Sequence, residues 1–393
     1  MGNYRLTEEE YGRILSIKRD LHMHPELSGR EKRTTETICR ILREIPGTEI
    51  LSFENRLGTG VLARIRGTGN GPETALRADI DALPQTEEYE SEWKSRTGGV
   101  MHACGHDFHT ASLLGAAMIL SRAKADGRLG GTADLIFQPA EEGTRGARAF
   151  LDAGLFNLIH PDRIFGIHNW PSVPSGRTVV HEGVLMSAKR NAKVRLRGSG
   201  GHGSMPHLNV DPIVCAGALI QSLQTIVSRN TSPLDSLGRS VNSIQGGSPV
   251  NLVVESVELM MTIRSLSEEA LDRAVGRTET IVARTAEAYE CGSEIIWEEK
   301  IPAVRNLPEM CEIALKAAEY AGAAVTDAPP SLASEDFALY RTAGIPSFFY
   351  WVGSTAEGDS VEELHRPRFH TDDSAMRTAA GLYAASVLVQ EGN

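Results

Sequence analysis

The sequence predicts an α/β fold interrupted by a second, smaller α/β unit. Three observations carry that expectation. Short apolar runs alternate with helix-period segments toward both ends of the chain. A central stretch of about 110 residues, enough for a domain of its own, follows a different order. The length of 393 residues exceeds what one hydrophobic core usually supports.

The opening reads as two helices. Thr7 and Glu10 form a capping box ahead of Tyr11, Ile14, Leu15, Ile17 and Leu21, and Ser28 with Glu31 repeats the signal ahead of Ile38, Ile41, Leu42 and Ile45. Pro46-Gly47 ends the second helix. Apolar or alternating runs follow at 61–65, 75–80, 133–137, 164–167 and 347–352, with helix-period segments such as 109–123 between them. That alternation predicts a mostly buried sheet. Polar residues gather where the runs end, which is where α/β folds place ligands.

The stretch 191–299 runs strand (192–197), helix (Asp211-Pro212 as cap and first residue, through Arg229), strands (241–245 and 252–264), helix (267–289) and strand (294–298). This βαββαβ order is the split, ferredoxin-like unit. The expected division is 1–189 for the first part of a larger domain, 190–299 for an insertion, and 300–393 for the return, closing on a helix from Asp373 to Gln390.

Lys and Arg number 40 against 51 Asp and Glu, a net charge of −11, and no basic run supplies a local face for phosphates. Nucleic acid is therefore not an expected partner. The longest apolar stretch, 111–120, is about half the length a bilayer requires. The first residues show no apolar targeting core, and Leu6 stands where myristoylation requires Ser or Thr. No membrane partner and a cytoplasmic location are expected. Five cysteines, at 39, 104, 215, 291 and 311, form no disulfide framework.

Several segments could carry chemistry. In Met101-His-Ala-Cys104-Gly-His106-Asp-Phe-His109, a thiolate and an imidazole two residues apart can face one cation from a tight turn. On these residues alone, a redox-inert Cys in a His-rich turn fits as well. Gln138-Pro-Ala-Glu141-Glu142-Gly143 puts two adjacent carboxylates at a strand end, where one can ligate a metal while the other projects toward substrate as a base; an ordinary acidic turn has the same pattern. His168 ends another apolar run, where a lone His is more often structural; His365 and His370 lie in a late loop; Asp79 and Asp81 share a strand face suited to orienting histidines, with a pair of strand-end caps as the alternative. Gly198 to Gly203 satisfies GxGxxG after a strand, but Leu223 stands where the dinucleotide motif requires an acid. The glycines would instead let His202 approach something closely. HExxH, GxSxG and the Walker A loop are absent, which removes zincin, serine-hydrolase and phosphate-loop readings.

Taken together, the segments HPELS (24–28), LRADIDALP (76–84), GGVMHACGHDFHT (98–110), FQPAEEG (137–143), GIHNWP (166–171), GGHGSMPH (200–207), DPI (211–213), SEDFALY (334–340) and LHRPRF (364–369) resemble the amidohydrolase family of hippurate hydrolases, N-acyl-amino-acid deacylases and auxin-conjugate hydrolases, within the aminoacylase and carboxypeptidase G2 clan. The resemblance implies a mixed-sheet, metallopeptidase-like catalytic domain with an inserted lid or dimerisation domain. It implies two divalent metal ions per chain, zinc or manganese with nickel as a further candidate. Their ligands fall on Cys104, His106, Glu142, His168 and His365, with the Cys bridging and Asp79 and Asp81 orienting the ligands. The general base falls on Glu141, the oxyanion-stabilising lid histidine on His202, and substrate contacts on Asn251 and Arg264.

The family usually writes Asn-x-Ile-Pro where this chain has Asn251-Leu-Val-Val, and His365-Arg-Pro replaces the commoner His-Ser-Pro or His-His-Pro. His365 is preferred to His370 because it precedes Phe369 by four residues, as the motif requires. The implied activity is hydrolysis of the amide of an N-acyl amino acid, a small-molecule substrate. Homodimers or higher homo-oligomers through the inserted domain are compatible with it. The alternatives are a dipeptidase or carboxypeptidase using the same site, and an inactive metal-binding relative. The completeness of the ligand set favours an enzyme.

Overall fold

The computed structural model describes residues 5–143, 145–247 and 250–389. It divides into two compact units: 1–183 with 305–329 and 336–393, and 184–304 with 330–335. The boundaries fall several residues outside the expected 190 and 299, and the second unit also takes in the short segment 330–335. The cause is local. Strand Ala188–Arg197 begins before the apolar alternation does, Lys189 pairs with Ile301, and Met186 bridges to Ser331.

The larger unit is built on an eight-stranded mixed sheet. Its order is Thr48–Ile50, Val61–Arg66, Thr132–Gln138, Glu73–Asp79, Arg163–Pro174, Ser347–Thr355, Arg177–Val179 and Ala324–Thr326. The central strands Thr132–Gln138, Glu73–Asp79, Arg163–Pro174 and Ser347–Thr355 are parallel and almost wholly buried, so they read as continuous apolar runs. Helix His106–Ala125 packs against Glu8–Met23 and Ala375–Leu388 and is buried nearly all round. The last helix was expected to end at Gln390, which lies outside the described residues.

Thr7 and Glu10 make the expected capping box, with Thr7 Oγ1 accepting from Glu10 N at 3.2 Å and Glu10 Oε2 from Thr7 N at 2.8 Å. The second box does not form. The helix starts at Lys32 without a side-chain cap, because Ser28 donates to Asp81 and Glu31 is drawn into the interior.

The smaller unit has the antiparallel sheet order Leu237–Gln245, Ser256–Ser265, Ala188–Arg197, Gly292–Trp297, covered by helices Pro212–Asn230 and Glu268–Ala288. Strand Ser256–Ser265 alternates buried and half-buried residues, so one face packs on the helices. Its core is apolar, with Val194, Leu219, Leu223, Leu259 and Leu271 fully buried. The single strand expected over 252–264 is broken: Leu252–Val253 leaves the sheet and pairs with Gly201–His202. Pro249, in the same loop, lies outside the described residues. Among the described residues, no helix is long and apolar enough to cross a membrane.

Candidate metal centre

The centre lies in the larger unit, at the carboxyl ends of the parallel strands Glu73–Asp79 and Thr132–Gln138. Cys104 and His106 flank Gly105, whose φ of 86° is left-handed; a Cβ there would lie 2.2 Å from Asn169 Oδ1. That turn brings the thiol and the imidazole to one point. Cys104 Sγ is 3.4 Å from His168 Nε2 and 3.2 Å from His365 Nε2. His168 Nδ1 donates to the Asn169 carbonyl at 2.6 Å, which leaves Nε2 turned toward Cys104. His365 also has a left-handed backbone, φ 61°, and its N–H donates to Ala103 O at 2.8 Å.

Glu142 Oε1 lies 3.3 Å from His365 Nε2 and 3.9 Å from His106 Nε2. Of the groups of candidate ligand atoms lying within 4.8 Å of one another, one joins His106, Glu141 and Glu142, and two share a thiol: Cys104, His106 and His168, and Cys104, Glu142 and His365. Cys104 belongs to both. His370 instead stacks on Tyr89 with ring centroids 4.1 Å apart and belongs to neither group.

The donors suit divalent cations. Asp79, Asp81, Glu141 and Glu142 converge here, and burial, followed by Glu142, Glu141 and Asp79, pushes the Cys104 thiol well above its usual range. Bound cations reverse that balance and hold a ligating thiol as thiolate. His106 Nε2 is buried without a hydrogen-bond partner, 3.7 Å from Asp79 Oδ2, so this ring nitrogen faces the carboxylate cluster. Mixed thiolate, imidazole and carboxylate donors are those zinc takes.

Asp81 orients the centre. Oδ1 is 3.2 Å from His106 Nδ1 and accepts from Glu141 N at 3.1 Å; Oδ2 accepts from Glu142 N at 3.0 Å and Ser28 Oγ at 2.6 Å. Asp79 meets His109 Nδ1 at 2.6 Å and Arg77 at 2.8 Å. Burial works against ionisation of Asp79, yet His106, His109 and Arg77 hold its carboxyl well below the usual range. Burial likewise opposes the His106 charge, while Asp79, Asp81 and Glu142 push its pKa up to about 10.

Several contributors were not singled out from sequence. His109 carries the Asp79 contact to strand Arg163–Pro174, since its Nε2 accepts from Asn169 N at 2.9 Å. Glu141, only 7% exposed, accepts from Asp336 N at 3.3 Å. Asp336 is itself fully buried among Arg77 (2.9 Å), Gln138 Nε2 (2.8 Å) and Ala147 N (3.0 Å). The SEDFALY segment contained Asp336, but nothing in the local pattern ties it to Arg77, 259 residues earlier. Glu31 and Ser28 were hidden because they imitate a capping box.

In the smaller unit, His202 is exposed and opposite Leu252 in a two-residue ladder, and its Nδ1 accepts from Ser204 N at 3.1 Å. Asn251 is brought beside it: its carbonyl accepts from Gly203 N at 2.8 Å. Gly201 is required, because a Cβ would lie 1.8 Å from Asn209 Oδ1. Arg264 lies elsewhere, near the end of Ser256–Ser265, and donates to Leu332 O at 3.0 Å.

Residues 75–388 match Peptidase family M20/M25/M40. The chain is 40% identical to N-acetylcysteine deacetylase of Bacillus subtilis over 96% of both chains. It is 34% identical to N-acetyldiaminopimelate deacetylase of the same organism, over 93% of this chain and 95% of the relative. A crystal structure of a dinuclear metal binding peptidase of the M20 family from B. subtilis superposes with a TM-score of 0.81 at 37% identity, covering 97% of this chain and 98% of that one.

Proposed function

The chain belongs to peptidase family M20/M25/M40 and is an amide-bond hydrolase, and from that premise we propose that it deacylates N-acyl amino acids, N-acetyl amino acids first among them. The observation that carries this reading is the pair of candidate ligand groups that share Cys104, one with His106 and His168 and one with Glu142 and His365, with the adjacent Glu141 in reach of His106 and Glu142. Cys104, His106 and His168 would hold one ion and Cys104, Glu142 and His365 the other, with zinc the best match to the donors and manganese or nickel the alternatives. When bound, such ions polarise the scissile carbonyl and acidify water.

Glu141 takes the proton of the attacking water and returns it to the departing amine, acting as base and then acid. The hydrogen bond from Asp336 N gives its carboxylate one fixed neighbour. His202 donates to the developing oxyanion. Asn251 and Arg264 hold the amino-acid portion of the substrate, and Arg264 suits its carboxylate. Self-association through the smaller unit accords with its exposed apolar residues, among them Leu208, Val214 and Leu234.

The test is a panel of acetyl, benzoyl, indole-acetyl and aminobenzoyl amino acids with dipeptides as controls, assayed on chelated enzyme and after zinc or manganese is restored. We expect N-acetyl amino acids to be hydrolysed, with loss on chelation and recovery on reloading. Hydrolysis of no N-acyl substrate, or of dipeptides alone, contradicts the proposal.

A further inference from the structure

Ala140, the residue before the paired carboxylates, has φ 54°, a left-handed conformation that residues with a Cβ seldom adopt. Both of its peptide groups are held. Its carbonyl accepts from Arg145 N and Gly146 N, each at 3.2 Å, at the start of helix Gly146–Asp152. Its N–H donates to Glu31 Oε1 at 2.9 Å.

Glu31 is fully buried, 109 residues away in sequence, and its other contacts lock it in place. Oε1 also accepts from Gly29 N at 2.8 Å, and Oε2 accepts from Thr59 Oγ1 at 2.9 Å. A carboxylate in the interior that makes hydrogen bonds only to backbone and hydroxyl groups is a costly arrangement. It needs a reason, and here its contact most distant in sequence ends on the strained residue beside Glu141.

We infer that Glu31 is a positioning residue for the reaction: by accepting from Ala140 N it holds the left-handed turn that sends Glu142 to its ligand group and Glu141 beside it. This rests on the roles proposed above for Glu141 and Glu142. Asp81 receives the next two amides of the same turn, so Glu31 and Asp81 together fix three consecutive N–H groups, those of Ala140, Glu141 and Glu142. Asp81 also touches His106, whereas Glu31 touches none of the candidate ligands and acts through backbone geometry alone.

The experiment compares kcat, KM and metal content in four variants. Glu31→Ala removes the acceptor and should lower kcat about 30-fold with KM little changed, the scale seen when supporting contacts around a metal site are lost. Glu31→Gln keeps an amide oxygen for Ala140 N while Thr59 can accept from the new amide, so it should retain most of kcat. Glu31→Ala with Ala140→Gly is the decisive variant, measured against Ala140→Gly alone. Glycine takes φ 54° without the Cβ penalty, so about tenfold of the lost kcat should return.

If Glu31→Ala yields no folded protein, Glu31→Leu, which fills the space without an acceptor, is read in the same way. Undiminished kcat in Glu31→Ala, or no recovery with Ala140→Gly, overturns the inference. Glu141→Gln run in parallel separates the two levels. If it keeps turnover, the roles proposed for the turn are wrong; if it loses turnover while Glu31→Ala does not, the positioning role alone is wrong.

Discussion

The two units bury very different things. The larger one places Arg77, Asp79, Asp81, His106, His109, His168 and Asp336 in its interior, each less than 5% exposed. The smaller one has an apolar core, and its buried polar residues are limited to Ser187, Ser265, Thr278 and Glu335 among those described. Its chemically interesting side chains, His202 and Asn251, stand exposed on a loop and a short ladder. The difference teaches where each unit keeps its function. Burying so many charges is tolerable only when they satisfy one another and a cation, so structure and chemistry are inseparable in the larger unit. In the smaller unit they are separable.

That contrast can be broken most directly at His106. His106→Ala should abolish metal binding and reduce turnover to background, and should also lower Tm, because Asp79 and Asp81 lose a buried partner. Metal analysis and calorimetry check it; an unchanged Tm would mean that the charged core is not structural. In the smaller unit, His202→Ala should lower kcat about 10²- to 10³-fold, the cost of one oxyanion donor, and leave Tm and metal content unchanged. A fall in Tm would place His202 among structural residues.

The converse substitution is in the core of the smaller unit. Leu219→Ala should cost about 2–5 kcal/mol in denaturant unfolding of the smaller unit while metal content holds. Loss of metal would show that the units are not separable.

The smallest expected effect concerns pH. Burial opposes the charge on His22, but Asp107 and Glu87 raise its pKa from 6.5 to about 9. A raised folded pKa makes its stabilising contribution complete below pH 6.5 and lost as pH rises toward about 9. His22→Gln should therefore flatten the alkaline decline of Tm across that window, and an unaltered decline would show that another group causes it.

The proposed site residues were reached through the family resemblance, which short motifs carry: Cys104 and His106 around one glycine, Glu141 and Glu142 at a strand end; the fold brings Cys104, His106, Glu142, His168 and His365 together as candidate ligands. The alternating apolar runs marked the central strands for the same local reason. Contacts across a hundred residues or more were not legible, as Arg77 with Asp336 and Glu31 with Ala140 show. Ser28 and Glu31 have the spacing of a helix cap, and only the fold shows that a buried aspartate and a strained turn compete successfully for their side chains. The break between Leu252–Val253 and Ser256–Ser265 was hidden because both pieces are apolar and extended.

The claim on which the mechanism turns is that two neighbouring carboxylates do different work. Glu141→Gln, measured for metal content and for turnover of an N-acetyl amino acid on the same preparation, tests it. The account predicts full metal content with turnover down by at least about 10²-fold, the lower range for losing a general acid–base group. Retained turnover, or metal lost along with it, would contradict the account.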